Sequence, residues 1–263
     1  MGMPQYRYLY GPVASWRLGS SLGIDPISAS QKICTYDCTY CQLGRTHVFT
    51  DKRREFVAVE GLIREIEMLP SGHIDFLTFS GRGEPTLANN LGKMIRAIKE
   101  ISSRRIAVIT NASLMDRTAV CEDLNVADYV LAKFDTSNLD TFWAINRPMR
   151  TIQLNNIFEA LKNFKFYYKG KFALQIMFTA LNIDEAVRLA HCAKEIAPDE
   201  IQINTPLRPC AEKPIGKDAM LSVVRRFHEV CGKEIPVMNV YERGKEKIRP
   251  FSWAATTKRR GKI

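Results

Sequence analysis

The chain of 263 residues has 46% hydrophobic and 25% charged residues, an ordinary composition for one large soluble domain. No apolar run approaches membrane-spanning length and the opening MGMPQYRYLYGP lacks a signal-peptide core, so a cytoplasmic protein without membrane attachment is expected. Seven cysteines, an odd number, argue against a disulfide framework, and a net charge of +10 favours a polyanionic partner such as nucleic acid or an anionic small substrate.

Residues 10–25 (YGPVASWRLGSSLGID), rich in glycine, read as a loop leading into a short extended segment at 22–24. Residues 59–69 then set Leu62, Ile63, Ile66 and Leu69 on one helical face, and 74–79 (IDFLTF) is a short β-rich apolar run. The alternation continues with a helix at 90–101, a strand at 105–110, a helix at 114–124 and a strand at 129–134. Helices at 139–145 and 152–161, a strand at 172–178 and a helix at 183–196 follow, then a strand at 200–203, a helix at 219–230 and an extended stretch at 236–241. Such alternation implies parallel pairing with right-handed crossovers, and six units fit a partial (β/α)6 TIM-like barrel of α/β class. One domain is expected over 1–263, with a lead-in at 1–25, the barrel core at 26–240 and a basic tail at 241–263. That tail, with Lys258, Arg259, Arg260 and Lys262, reads as a solvated end or a phosphate contact.

Residues 33–43 (ICTYDCTYCQL) carry Cys34, Cys38 and Cys41 in a C-x3-C-x2-C arrangement. Three thiolates this close can hold three corners of a 4Fe-4S cube and leave the fourth iron open to another ligand. Zinc with His47 as fourth ligand, or a chance grouping of surface cysteines, are the competing readings. Cys121, Cys192, Cys210 and Cys231 follow no ligand spacing and read as buried or half-buried thiols, and His73, His191 and His228 share no motif.

Parallel barrels gather ligands at the C-terminal ends of their strands. The residues expected there are the cysteine loop, then Ser80-Gly81-Arg82-Gly83-Glu84, Asn111, Asp135, Thr179 and Asn204. The glycines flanking Arg82 let the backbone approach a ligand closely. Asn111 and Asp135 are candidates either for helix capping or for direct contact, and Lys133 either pairs with Asp135 or meets a substrate anion. Gln175 and Asn204 are amides in apolar strands, suited to ligand recognition or to an internal network. Arg147 and Arg208 stand in proline-bounded loops near the open face and are candidates for anionic substrate, as is Arg17 ahead of the cysteine loop.

The C-x3-C-x2-C spacing with Tyr40 before its last cysteine resembles the signature of the radical S-adenosylmethionine (radical SAM) superfamily. The GPVASWRLGSSLGID run resembles that superfamily's iron-sulfur oxidoreductases related to wybutosine synthesis, the archaeal 4-demethylwyosine synthases. GRGEP resembles the G-G-E-P motif that holds the amino group of S-adenosylmethionine, with Arg82 as a departure. The resemblance implies a 4Fe-4S cluster on Cys34, Cys38 and Cys41, and S-adenosylmethionine as the second cofactor. Tyr40, Gly81, Gly83, Glu84, Asn111, Asp135, Gln175 and Asn204 become its candidate contacts. It also implies a reductant such as ferredoxin or flavodoxin, and a 5'-deoxyadenosyl radical that abstracts hydrogen from a substrate. The synthases act on a tRNA guanosine, in line with the basic charge, but use upstream cysteines that this sequence lacks before Cys34. Radical modification or activation of a peptide, protein or cofactor precursor is the second reading. A non-catalytic metal-bearing RNA-binding module is the third.

Overall fold

The computed structural model describes residues 6–70, 72–242 and 248–261. Strands β1 (Leu9–Ser15) and β2 (Gly19–Ile24) form an antiparallel hairpin, and β3 (Ile33–Cys34) pairs in parallel with β4 (Val48–Phe49) in a small separate sheet. Then come α1 (Val59–Glu67), β5 (Phe76–Phe79), α2 (Leu91–Ile101), β6 (Arg105–Thr110), α3 (Thr118–Leu124) and β7 (Tyr129–Lys133). The chain continues through α4 (Leu139–Ile145), α5 (Leu154–Tyr167), β8 (Lys171–Met177), α6 (Ala186–Ile196) and β9 (Glu200–Asn204), and ends with α7 (Lys217–Cys231), β10 (Val237–Asn239) and α8 (Trp253–Arg260). The large sheet has the order β1-β2-β5-β6-β7-β8-β9-β10, parallel from β2 onward, and curls into a half-barrel with open edges at β1 and β10. The partial (β/α)6 barrel is therefore present, with β10 as a seventh parallel strand.

Alternate residues of each strand face opposite sides. Ile106 and Val108 of β6, Val130 and Ala132 of β7, and Phe172, Leu174 and Ile176 of β8 pack toward the helices in the main core. Ala107, Tyr129, Leu131 and Ala173 join Leu18 and Phe76 in a smaller cluster on the inner face. The same register turns Lys133, Gln175 and Gln202, aligned across β7, β8 and β9, into the lumen.

Three expectations change. Residues 10–25, expected as a loop leading into an extended segment at 22–24, are mostly strand, because β1 pairs with β2, β2 pairs with β5, and Gly23 leaves room for the Tyr10 ring, which a Cβ there would approach to 2.1 Å. The helix expected at 114–124 starts only at Thr118, since turns closed by Met115 N–H to Ala112 and Arg117 N–H to Leu114 precede it. The tail is not a solvated end: α8 packs on β1, Thr256 Oγ1 accepts from Gly11 N–H at 3.1 Å, and buried Arg259 meets buried Asp25 at 3.2 Å. Lys258 is exposed, and Lys262 lies outside the described residues.

Candidate functional site

The cysteine loop is held by its own turns and by the end of α4. Cys41 N–H donates to Cys38 carbonyl at 3.0 Å, Gly44 N–H to Cys41 carbonyl at 2.9 Å, and Lys32 Nζ to Gly44 carbonyl at 2.9 Å. The last carbonyls of a helix lack partners within it. Here those of Ile145, Asn146 and Arg147 accept from the N–H groups of Thr39 and Asp37 at 2.9–3.1 Å, fastening the loop to the C-terminal end of α4.

A cavity of about 280 Å³ opens above the C-terminal strand ends and is lined by Cys34, Cys38 and Cys41. Gly81, Gly83, Glu84, Asn111, Lys133, Gln175 and Asn204 line the same cavity. Tyr40 and Arg17 line it too, with Lys32, Tyr36, Ile109 and Met177 among the remaining wall residues. Asp135 is one residue removed, behind Tyr40: its Oδ2 accepts from the Tyr40 hydroxyl and from Asn146 Nδ2 at 2.8 Å, and its Oδ1 from Met177 N–H at 2.8 Å. Arg208 lines an adjoining cavity, whereas Arg147 is exposed and lines neither.

Residues 29–193 match the Radical SAM superfamily. The chain belongs to the radical SAM superfamily. The UPF0026 protein slr1464 of Synechocystis is 36% identical over 211 residues, which cover 80% of this chain and 78% of that protein. The UPF0026 protein MJ1312 of Methanocaldococcus jannaschii is 36% identical over 244 residues, 89% of this chain and 75% of that protein, so the chain is also a UPF0026 protein. Among solved structures, Streptococcus suis SuiB bound to S-adenosylmethionine matches with a TM-score of 0.62 at 13% identity, over 80% of this chain and 48% of that one. This chain thus spans about half the length of SuiB, and the likeness is one of fold. Radical SAM membership implies an enzyme with a 4Fe-4S cluster and S-adenosylmethionine.

The cysteines fit that cluster. In a 4Fe-4S cube each thiolate takes a separate iron, so the sulfurs ring a space instead of meeting at one ion. Among the described residues no three His, Cys, Asp or Glu side chains converge on a single-ion position, yet all three cysteines face one cavity. The zinc alternative loses its fourth ligand, because His47 is exposed and outside the cavity. Cys121, Cys210 and Cys231 each donate to a separate carbonyl, those of Met115, Glu212 and Ala190, and they and Cys192 stay free of the site.

Burial first, and the nearby Glu84 carboxylate next, push the Cys34 thiol up to about 12; burial pushes Cys38 up to about 11. Metal binding must therefore displace protons. Two amides already face the sulfurs: Asn111 Nδ2 lies 3.6 Å from Cys34 Sγ, and Asn146 Nδ2 lies 3.6 Å from Cys38 Sγ. Burial works to lower the Lys32 pKa, but Cys41, Cys34 and Cys38, once they are thiolates, outweigh it and leave it raised.

The glycines of GRGEP, which line the cavity, are also required by contacts within the chain. Gly83, at φ +152°, lies against Ile33, whose carbonyl oxygen a Cβ would approach to 1.6 Å, and Gly81, at φ +150°, lies against Asp25, whose carboxyl carbon a Cβ would approach to 2.5 Å. Gly83 lets GRGEP run beside β3, with Ile33 N–H donating to Arg82 carbonyl at 3.1 Å and Glu84 N–H to Ile33 carbonyl at 3.2 Å. Glu84 is a buried hub: Oε1 accepts from Thr86 N–H, Thr86 Oγ1 and Thr110 Oγ1 at 2.6–3.1 Å, and Oε2 from Asn111 N–H at 2.7 Å. Burial raises its pKa against those hydrogen bonds.

Lys133 pairs with Asp135 Oδ1 at 3.3 Å, lies 4.8 Å from the Tyr40 ring centre and reaches Gln175 Oε1 at 3.5 Å. Gln175 continues to Gln202, which donates to Tyr129 Oη at 2.8 Å and to Glu200. Sequence reasoning missed Lys32, Asn146 and Gln202. Asn146 directly follows a predicted helix in the Asn-Arg-Pro loop, a signal that attention to Arg147 passed over.

Proposed function

We propose that this protein reductively cleaves S-adenosylmethionine and directs the resulting 5'-deoxyadenosyl radical at hydrogen abstraction from an anionic substrate. The observation that carries the reading is the meeting of Cys34, Cys38 and Cys41 with GRGEP across one cavity. The bound cluster would supply the electron that breaks the sulfonium C–S bond. Cys34, Cys38 and Cys41 would hold it. Gly81, Gly83, Glu84, Asn111, Gln175 and Asn204, which line the same cavity, would hold S-adenosylmethionine, with Tyr40 and Asp135 hydrogen-bonded to each other beside it. Ile109, Tyr36, Leu43 and Met177 would keep water from the radical. A ferredoxin- or flavodoxin-type reductant completes the reading, and a cytoplasmic location suits it; among the described residues no helix is long and apolar enough to cross a membrane.

For substrate, the net charge of +10 favours tRNA, as in the wybutosine-related enzymes that the opening run resembles. Modification of a peptide or protein is the second reading, supported by the fold likeness to SuiB bound to its precursor peptide SuiA, at a TM-score of 0.60. Anaerobic reconstitution with iron and sulfide, reduction by dithionite and chromatography should yield 5'-deoxyadenosine from S-adenosylmethionine, and Cys38→Ala should abolish it. A colourless protein that forms no nucleoside ends the proposal. Binding to tRNA that weakens steeply between low and high salt separates tRNA from peptide.

A further inference from the structure

Beside the cofactor cavity, and sharing Arg17, Tyr40, Gln42, Met177 and Asn204 with it, lies a second cavity of about 150 Å³. Three arginines from distant parts of the chain line it: Arg17 from the β1–β2 turn, Arg208 from the loop after β9, and Arg260 from the last turn of α8. No acidic residue is among the described residues that line it.

The cations are poorly compensated. Nε and Nη1 of Arg17 are buried without a hydrogen-bond partner, with the Trp16 ring centre 5.1 Å from the guanidinium carbon. Among the described residues Arg208 Nη1 donates to a carbonyl, that of Arg260, at 3.1 Å. Burial first, then the charge of Arg260, brings Arg17 down to about 10 against the opposing pull of Tyr129 and Glu200; the same two causes bring Arg208 down to about 10, and burial lowers Arg260 as well. A buried cation with no carboxylate in direct contact is costly, and the guanidinium fork matches carboxylate and phosphate. The position of Arg260 is built, not incidental: Arg259 anchors α8 on Asp25, and Gly261 backs onto the Gln42 carbonyl so closely that a Cβ would stand 2.2 Å away.

We infer that Arg17, Arg208 and Arg260 form a subsite for an anionic group of the substrate, a phosphate or a carboxylate, held against the cofactor cavity. The inference rests on reading that cavity as the seat of the radical chemistry. It makes α8 a wall of the substrate site and gives the basic tail a specific task.

Calorimetric titration of the protein with inorganic phosphate, and separately with acetate, at constant ionic strength tests it. One of the two anions should bind saturably at one site, and Arg208→Gln and Arg260→Gln should each weaken it about tenfold or more. Whichever anion binds tighter names the substrate group. Should Arg260→Gln unfold, as circular dichroism would show, Arg208→Gln on its loop decides. No saturable binding, or equal binding by wild type and variants, overturns the inference. So does loss of anion binding in reconstituted protein saturated with S-adenosylmethionine, which would give the arginines to the cofactor's own carboxylate. The titration of unreconstituted protein needs neither cluster nor cleavage, so failure to form 5'-deoxyadenosine and failure to bind the anion are separate results.

Discussion

Asn146, 108 residues further along the chain, brings its side-chain nitrogen to 3.6 Å from the sulfur of Cys38 and to 2.8 Å from Asp135 Oδ2. One amide thus ties the cysteine loop to the ends of both α4 and β7. Removing such an outer-shell donor typically costs 10–100-fold in metal affinity or activity. Asn146→Ala should lower cluster content after reconstitution, and should shift the reduction potential downward because a hydrogen bond to a ligating sulfur favours the reduced state. Iron analysis and a spectroscopic redox titration read both; unchanged values would show that the amide only fills space.

Cys34 and Cys38, lifted to about 12 and about 11, are thiols in the metal-free protein at neutral pH. Thiolate fraction rises about tenfold per pH unit below the pKa, so alkylation of both by iodoacetamide should climb without a plateau from pH 7 to 10. A plateau near the ordinary thiol value would mean that the loop opens before it reacts. The same shifts set a stability trend. Between the ordinary thiol value and about 11 the folded state holds more protons than the unfolded one, so the metal-free protein should lose stability as pH rises through that window.

Gly83→Ala would drive a methyl group to 1.6 Å from the Ile33 carbonyl. With no flexible neighbour to yield, the GRGEP strand and β3 must part, at a cost of about 3 kcal/mol or more. Gly72→Ala, where nothing lies within 4 Å, should stay within about 0.5 kcal/mol of wild type. Urea denaturation compares the two, and similar midpoints would refute the tight-contact account.

Lys133→Met removes the cation 3.3 Å from Asp135, a pair whose side chains are only 14% and 1% exposed. Breaking a buried pair from one side costs roughly 3–5 kcal/mol, here reduced because Asp135 keeps its bonds to Tyr40, Asn146 and Met177. A loss of about 2 kcal/mol in thermal unfolding is expected. A gain in stability would show that the desolvation of Lys133 outweighs its pairing.

Much of this arrangement was legible in the sequence. The helices and parallel strands from residue 59 onward follow from apolar periods of 3.6 and 2, which are local properties, and the ligand loop from three cysteines within eight residues. The placing of Gly81, Glu84, Asn111, Gln175 and Asn204 at the strand ends around that loop also follows, because a parallel barrel puts those ends on one face. Arg147 shows the limit: its loop is near the open face, but its side chain points to solvent.

What depended on tertiary structure was everything made by residues distant in sequence. The β1–β2 hairpin looked like a glycine-rich loop because its glycines and proline read as turn residues, and what secures it as sheet is the distant pairing of β2 with β5 and the Tyr10 ring covering Gly23. The basic tail looked solvated because no local pattern reports that Asp25, more than two hundred residues earlier, would accept Arg259. Side-chain periodicity records which face of an element is buried, and spacing records what a single loop can hold. Neither records which distant side chain arrives there, and so the amides on the cysteine sulfurs and the three converging arginines were decided by the fold.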